Sequence, residues 1–135
     1  MRRLLPLVMS LAIACGSDSP SQPTSASVAG TWSLQTVNGT ALPYLITQSG
    51  TTKVELVSDV VTAVATGSYT EITQIRTTVD GQVMNESFPD AGSFTLNGTA
   101  VVFQSNSDGS QTTGSVSGNT FTLAAEGFAY VYKRQ

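Results

Sequence analysis

The chain has 135 residues with 11% charged side chains, a formal net charge of −3, one cysteine and no histidine, while Ser and Thr together occupy 36 positions. This composition excludes a Ser-His-Asp triad, a His-ligated metal site, a disulfide framework and a basic nucleic-acid surface. The length supports one independently folding core, not a second domain or an elaborate multi-part active site.

In chain order, the first expected element is an export segment. Met1-Arg2-Arg3 is a short positive stretch, and Leu4 to Ile13 is an apolar run, too short for the roughly 20 residues of a membrane-spanning helix. Residues 1–14 therefore read as a cleaved signal peptide. The stretch Leu11-Ala12-Ile13-Ala14-Cys15-Gly16 resembles the lipobox of bacterial lipoproteins, where small residues precede a cysteine that is lipidated and becomes the new N-terminus. The resemblance implies a covalent lipid on Cys15, with acyl chains well past the threshold for stable anchoring. No other cofactor is expected. Loss of Arg2 and Arg3 leaves four Lys and Arg against nine Asp and Glu, so lipid rather than basic attraction would hold the protein at a membrane. Residues 15–27 comprise the lipidated cysteine and a tether with Pro20, Pro23 and many serines, a solvated linker with a reach of about 20 Å. Gly16 stands where enterobacterial lipoproteins retained at the inner membrane carry aspartate, which implies an outer-membrane location facing the periplasm.

Residues 28–135 read as a domain of strands joined by short turns. Trp32, Leu34 and Thr36 alternate with Ser33, Gln35 and Val37, and Asn38-Gly39 closes the first turn. Val54, Leu56, Val60 and Thr62 share one parity against Glu55, Val57, Asp59, Val61 and Ala63. This fits one long strand or two short ones broken near Ser58-Asp59. Tyr69 to Val79 is rich in β-formers, with Ile72 and Ile75 on opposite parities, so a bulge or burial on both faces is expected. Further strands are expected at Gln82 to Phe88, Gly92 to Leu96, Thr99 to Gln104, Gln111 to Ser117, Thr120 to Ala124 and Phe128 to Lys133. The turns are assigned to Pro89-Asp90, Asn97-Gly98, Asp108-Gly109, Gly118-Asn119 and Glu126-Gly127. A weak repeat, Gly67-Ser68-Tyr69, Gly92-Ser93-Phe94 and Gly114-Ser115-Val116, recurs at spacings of 25 and 22 residues. The predicted fold class is all-β: an up-and-down antiparallel meander of about eight to ten strands closed into a small barrel, with a two-sheet sandwich as the alternative. No connection is long enough for the crossover helix of a parallel sheet.

Gly30-Thr31-Trp32-Ser33-Leu34, then Val37-Asn38-Gly39 and Leu42-Pro43, resembles the opening of bacterial lipocalin-like domains, whose first strand begins Gly-x-Trp. Phe128-Ala129-Tyr130-Val131-Tyr132-Lys133-Arg134 resembles their closing strand. The resemblance implies that Trp32 packs across the closed end beneath a basic residue of the last strand. Phe128, Tyr130, Tyr132 and Arg134 share one parity, so Arg134 rather than Lys133 is expected over Trp32, the pair closing the barrel. The opening also resembles the small META-type envelope domains, the second reading.

Glu55 and Asp59 fall on one parity, read as an outer, solvated face rather than a catalytic pair. Asn106-Ser107-Asp108-Gly109 reads as a turn, not a calcium loop, because position 115 is Ser115. Catalytic residues, a metal site and an enzymatic activity are not expected. The expected function is a lipid-anchored, non-catalytic envelope lipoprotein, a monomer, holding a small hydrophobic ligand in the barrel. Phe94, Phe103, Phe121, Phe128, Tyr130 and Tyr132 are the candidate cavity lining. The alternative is an interaction lipoprotein whose aromatic residues simply fill the core.

Overall fold

A computed structural model describes residues 27–135. The expected signal peptide, Cys15 and nearly all of the tether lie outside the described residues. Ten strands follow in order: β1 (Gly30–Val37), β2 (Thr40–Ala41), β3 (Tyr44–Ser49), β4 (Thr52–Ala63), β5 (Ser68–Val79), β6 (Gln82–Asn97), β7 (Ala100–Ser105), β8 (Gln111–Ser117), β9 (Thr120–Ala125) and β10 (Phe128–Arg134). Every pairing is antiparallel. Neighbouring strands from β4 to β10 pair in sequence, β10 pairs with β1, and β1 returns to β4 through Gly30–Ser33 against Val60–Ala63. The result is an eight-stranded closed barrel of up-and-down topology, with β2 and β3 as additions.

The two additions lie at one end of the barrel. Beyond Ser33, β1 leaves β4 and pairs instead with β2, while the first half of β4 pairs with β3. The seam between β1 and β4 is therefore zipped at one end and parted at the other. On the parted side β5 and β6 run on together to the Asp80-Gly81 turn, and β3 and β4 accompany them.

Of the two readings of β4 the single long strand holds, with a bulge between Leu56 and Ser58. Other expectations about the strands need correction. β5 pairs with β6 in unbroken register from Ser68 to Val79, so it has no bulge. Ile75 faces in and Ile72 is simply exposed. Pro89-Asp90 is not a turn but the middle of one long β6, where Pro89 opposes Ile72. That half of β6 has a neighbour on one side only, the setting in which a strand tolerates the missing proline N–H. Of the repeated glycines Gly92 and Gly114 share a role that Gly67 does not, since a Cβ on either would collide with a carbonyl of the neighbouring strand. Gly92 sits inside β6 where a Cβ would collide with the Gln104 carbonyl and crowd the Tyr69 ring, so its missing side chain lets β7 approach β6 closely.

Burial follows the alternation that strands impose. Outward positions such as Gln35, Thr62, Thr70, Thr95, Gln104 and Thr113 are polar and exposed, whereas the inward set is mostly apolar. A transmembrane barrel has the reverse arrangement. At the zipped end Trp32 and Phe121 are fully buried, with ring centroids 5.6 Å apart. Phe121 in turn stacks on Phe103 and Tyr132 at 5.3 and 5.2 Å.

Arg134 opposes Trp32 in register, and its guanidinium carbon lies 4.2 Å from the indole centroid. The same guanidinium donates to the carbonyls of Ala29 and Ser27, and Trp32 Nε1 donates to the Val28 carbonyl at 2.7 Å. Gly30 makes this possible. Its φ of 133° is strained for a residue with a side chain, and a Cβ there would displace the Arg134 guanidinium.

Trp32→Ala is therefore expected to lower unfolding free energy by about 3 to 5 kcal/mol, the range for truncating a core tryptophan. Removing the cation–π contact by Arg134→Ala should cost about 0.5 to 2 kcal/mol. Urea denaturation followed by Trp32 fluorescence measures the second directly. An Arg134→Ala midpoint equal to the parent's would show that the guanidinium contributes nothing to closure.

Candidate functional site

A cavity of about 470 Å³ opens inside the barrel between the aromatic floor and the parted end. The size falls within the roughly 300 to 1,000 Å³ of small-molecule sites. Its apolar wall is built by alternate residues of successive strands: Val37, Leu56 and Val61, Ile75, Phe103, Leu123, and Phe128, Tyr130 and Tyr132. Four of the six aromatic residues expected to line a cavity do so, namely Phe103, Phe128, Tyr130 and Tyr132. Phe121 and Phe94 do not. Phe121 is sealed beneath the cavity floor by Trp32, and Phe94 stacks on Phe103 at 5.6 Å nearer the zipped end. Trp32 and Arg134 lie below the cavity, outside its wall.

The bulge in β4 decides the chemistry of the wall. Before it, Leu56 points inward and Glu55 outward. Because an extra residue inverts the alternation, Asp59, Val61 and Ala63 point inward after it. The expectation that Glu55 and Asp59 share an outer face is thus corrected. Glu55 lies outside, between Leu45 and Arg76 in register, and pairs with Arg76 and Lys53, each 2.8 Å away. Hydrogen bonds from Lys53 and then Arg76 hold its carboxyl below the usual range. Asp59 is 6% exposed inside the barrel.

Asp59 is not alone there. Asp59 opposes Thr73 and Val61 opposes Glu71, so the Glu71 carboxyl reaches Asp59 diagonally across the β4–β5 pair. Tyr132 from β10 donates its hydroxyl to Asp59 Oδ2 at 2.9 Å. Asp59 Oδ1 is buried with no hydrogen-bond partner. One strand further on, Asp90 opposes Glu71. It accepts from Ser105 Oγ at 2.9 Å and from the Tyr69 hydroxyl at 3.1 Å. Glu126 stands in the wall near the β9–β10 turn, and among the described residues the cavity has no Lys or Arg in its lining.

Burial is the chief influence on this cluster. It raises Glu71 to about 8, reinforced by the charge of Asp59 and then of Asp90. It also raises Asp59, against the opposing hydrogen bonds of Glu71 and Tyr132. The pair consequently retains one proton at neutral pH, since two adjacent carboxylates in a desolvated setting do not both ionise readily. Tyr132 is pushed well above its ordinary value by burial and by the charges of Asp59 and Glu71. Asp90 behaves oppositely: burial opposes its charge, but hydrogen bonds from Ser105, the Ala91 amide, Ser107 and Tyr69 prevail and lower it.

Glu71, Asp90 and Tyr69 escaped sequence reasoning, as did the inward orientation of Asp59. One signal was present: Asp59 shares its parity with Val61 and Ala63, which become core residues once the bulge is placed. Among the described residues no group of three His, Cys, Asp or Glu side chains is arranged to hold a metal ion. No family model matches the chain, and no curated protein is significantly similar to it.

The raised Glu71 value carries a pH dependence. The folded state keeps a proton on this group that the unfolded chain loses near the ordinary 4.5, so the folded form binds more protons between about pH 4.5 and 8 and stability falls as pH rises through that window. Thermal unfolding of the parent should show this decline, and Glu71→Gln should flatten it. A parent Tm that does not fall across this window would contradict the shared-proton arrangement.

Proposed function

We propose that the domain is a non-catalytic binding barrel that holds a small hydrophobic ligand, tethered to the bacterial cell envelope through a lipid on Cys15. The cavity of about 470 Å³ is the observation that carries the binding half of this reading. A lipocalin-like barrel of eight strands has room for one such molecule, and a core filled by its own side chains would leave no comparable space. A second feature supports an apolar occupant. Met84 and Phe88 oppose Thr77 and Thr73 in register, which places them on the inward face of the β5–β6 extension. There they stand 54% and 51% exposed, Phe88 directly across from the cavity-lining Thr73, and in the cavity wall Ile46 and Phe128 are also exposed. Exposed apolar residues gathered at an opening are a surface that an apolar molecule crosses at low desolvation cost.

The tether half rests on the sequence around Cys15. The Ser/Thr-rich outer wall suits a domain held beside a membrane rather than within one. The reading places the barrel in the periplasm, anchored to the outer membrane, as a monomer.

Two experiments test the two halves. A neutral lipophilic dye such as Nile red should brighten on binding the protein. Ala125→Trp, which fills the lining from β9, should weaken that binding at least about tenfold, a loss near 1.4 kcal/mol. Equal dye binding by the filled variant would place the dye elsewhere. For the anchor, Cys15→Ser should move the protein from the detergent phase to the aqueous phase on phase partitioning. A serine variant still processed at the same point and still partitioning into detergent would refute lipidation. Because a proton-sharing carboxyl pair is also a device of acid–base enzymes, turnover of a peptide, ester or glycoside that disappears in Asp59→Asn would overturn the non-catalytic assignment.

A further inference from the structure

The cavity combines an apolar, aromatic body with one-signed polarity. Asp59, Glu71 and Asp90 project into it from three adjacent strands, and among the described residues no cationic side chain lines it. Structural acids inside a protein are normally paired with a cation or fully hydrogen-bonded. Asp90 meets the second condition through Ser105 and Tyr69, and outside the barrel Glu55 meets the first through Lys53 and Arg76. Asp59 meets neither unless Glu71 is protonated: it is 94% buried, its Oδ2 takes the Tyr132 hydroxyl, and its Oδ1 has no partner when both carboxyls are ionised. The neighbouring acid, Glu71, supplies a donor only while it keeps a proton.

We infer that the ligand is a hydrophobic molecule bearing a protonated nitrogen, an alkyl- or arylammonium, whose N–H groups bridge Asp59 and Glu71 while its apolar body lies against Tyr130, Leu123 and Phe103. The inference rests on the cavity being a ligand site and adds the charge class of the occupant. An ammonium supplies Asp59 Oδ1 with a permanent donor in place of one that Glu71 offers only while protonated, and charge-assisted hydrogen bonds to a carboxylate are about twice as strong as neutral ones. The aromatic rings beside it favour a cation further. A carboxylate ligand is disfavoured by the same field, and a neutral alcohol can serve one acid but cannot offset its charge.

The groups facing the pair are Tyr132 and Tyr130 from β10, Tyr69 on β5 and Asp90 from β6, with Glu126 at the rim. None is a base. When the ammonium docks, both carboxyls become acceptors and the proton they share leaves to solvent. Binding at pH 7 therefore releases close to one proton, and the ammonium itself stays protonated.

The test uses the purified protein and three probes of one chain length: octylammonium, 1-octanol and octanoate, each competing with the neutral dye. At pH 7 octylammonium should displace the dye at least about tenfold more tightly than 1-octanol, and octanoate should be the weakest. Calorimetry in buffers of different ionisation enthalpy should show proton release for the amine alone. Asp59→Asn, which keeps an acceptor for Tyr132, should reduce the amine to the level of the alcohol. Glu71→Gln provides the same comparison if Asp59→Asn does not fold. If alcohol and amine bind alike in the parent, or the amine preference survives both substitutions, the charge class is wrong while the binding site stands. If neither the dye nor any of the three probes binds, the binding reading fails and the inference falls with it.

Discussion

The closure of the sheet at Gly30–Ser33 is the constraint on which the rest of this molecule depends. An eight-stranded barrel removes its edges only if the first strand finds both the last strand and β4, and here that happens over just a few residues of β1. Trp32 holds the junction from inside, with Phe121 and Tyr132 in contact below the cavity. Arg134 holds it from the chain end by reaching across to the carbonyls of Ser27 and Ala29. The side chain that ties the C-terminus down is thus the one that covers the indole, and Gly30 is the vacancy through which it passes. A guanidinium suits this place because its planar, weakly hydrated head can lie on a ring while its edges donate.

Zipping one end of the β1–β4 seam allows the other to part. β2 and β3 separate where the two strands diverge, and the long β3–β6 ribbon continues beyond the barrel. The cavity lies between the sealed aromatic floor and this parted end, so the architecture gives it one direction of access. The extra strands are therefore part of the site: Tyr44 of β3 meets Phe128 edge-on at 6.4 Å, joining the added strand to the last one across the opening.

Within the cavity the three acids on adjacent strands differ in what they cost the fold. Asp90 is served by hydroxyls and an amide and stays ionised. The Asp59–Glu71 pair lacks that service and holds a proton instead, an arrangement that a well-packed apolar substitution would avoid. Retaining such a pair in the wall of an otherwise apolar chamber lowers the stability of the empty protein and prepares the chamber for a cation. Outside the barrel the same residue type is handled conventionally, with Glu55 held between Lys53 and Arg76.

The amino-acid sequence by itself determined the fold class, because alternation, two-residue turns such as Asn38-Gly39 and the lack of helical spacing act over short range and admit no helix or parallel sheet. It also placed Trp32 and Arg134 on strands whose parities could bring them together. The site was another matter. Whether Asp59 faces water or the core depends on a single inserted residue between Leu56 and Ser58, and nothing local to that stretch distinguishes a bulge from a break. Pro89-Asp90 carried every short-range mark of a turn, yet pairing with β5 drew it into a strand and turned Asp90 inward. A shift of one residue exchanges the two faces of a strand, so the inward charges were decided by long-range register, which only the closed barrel supplies.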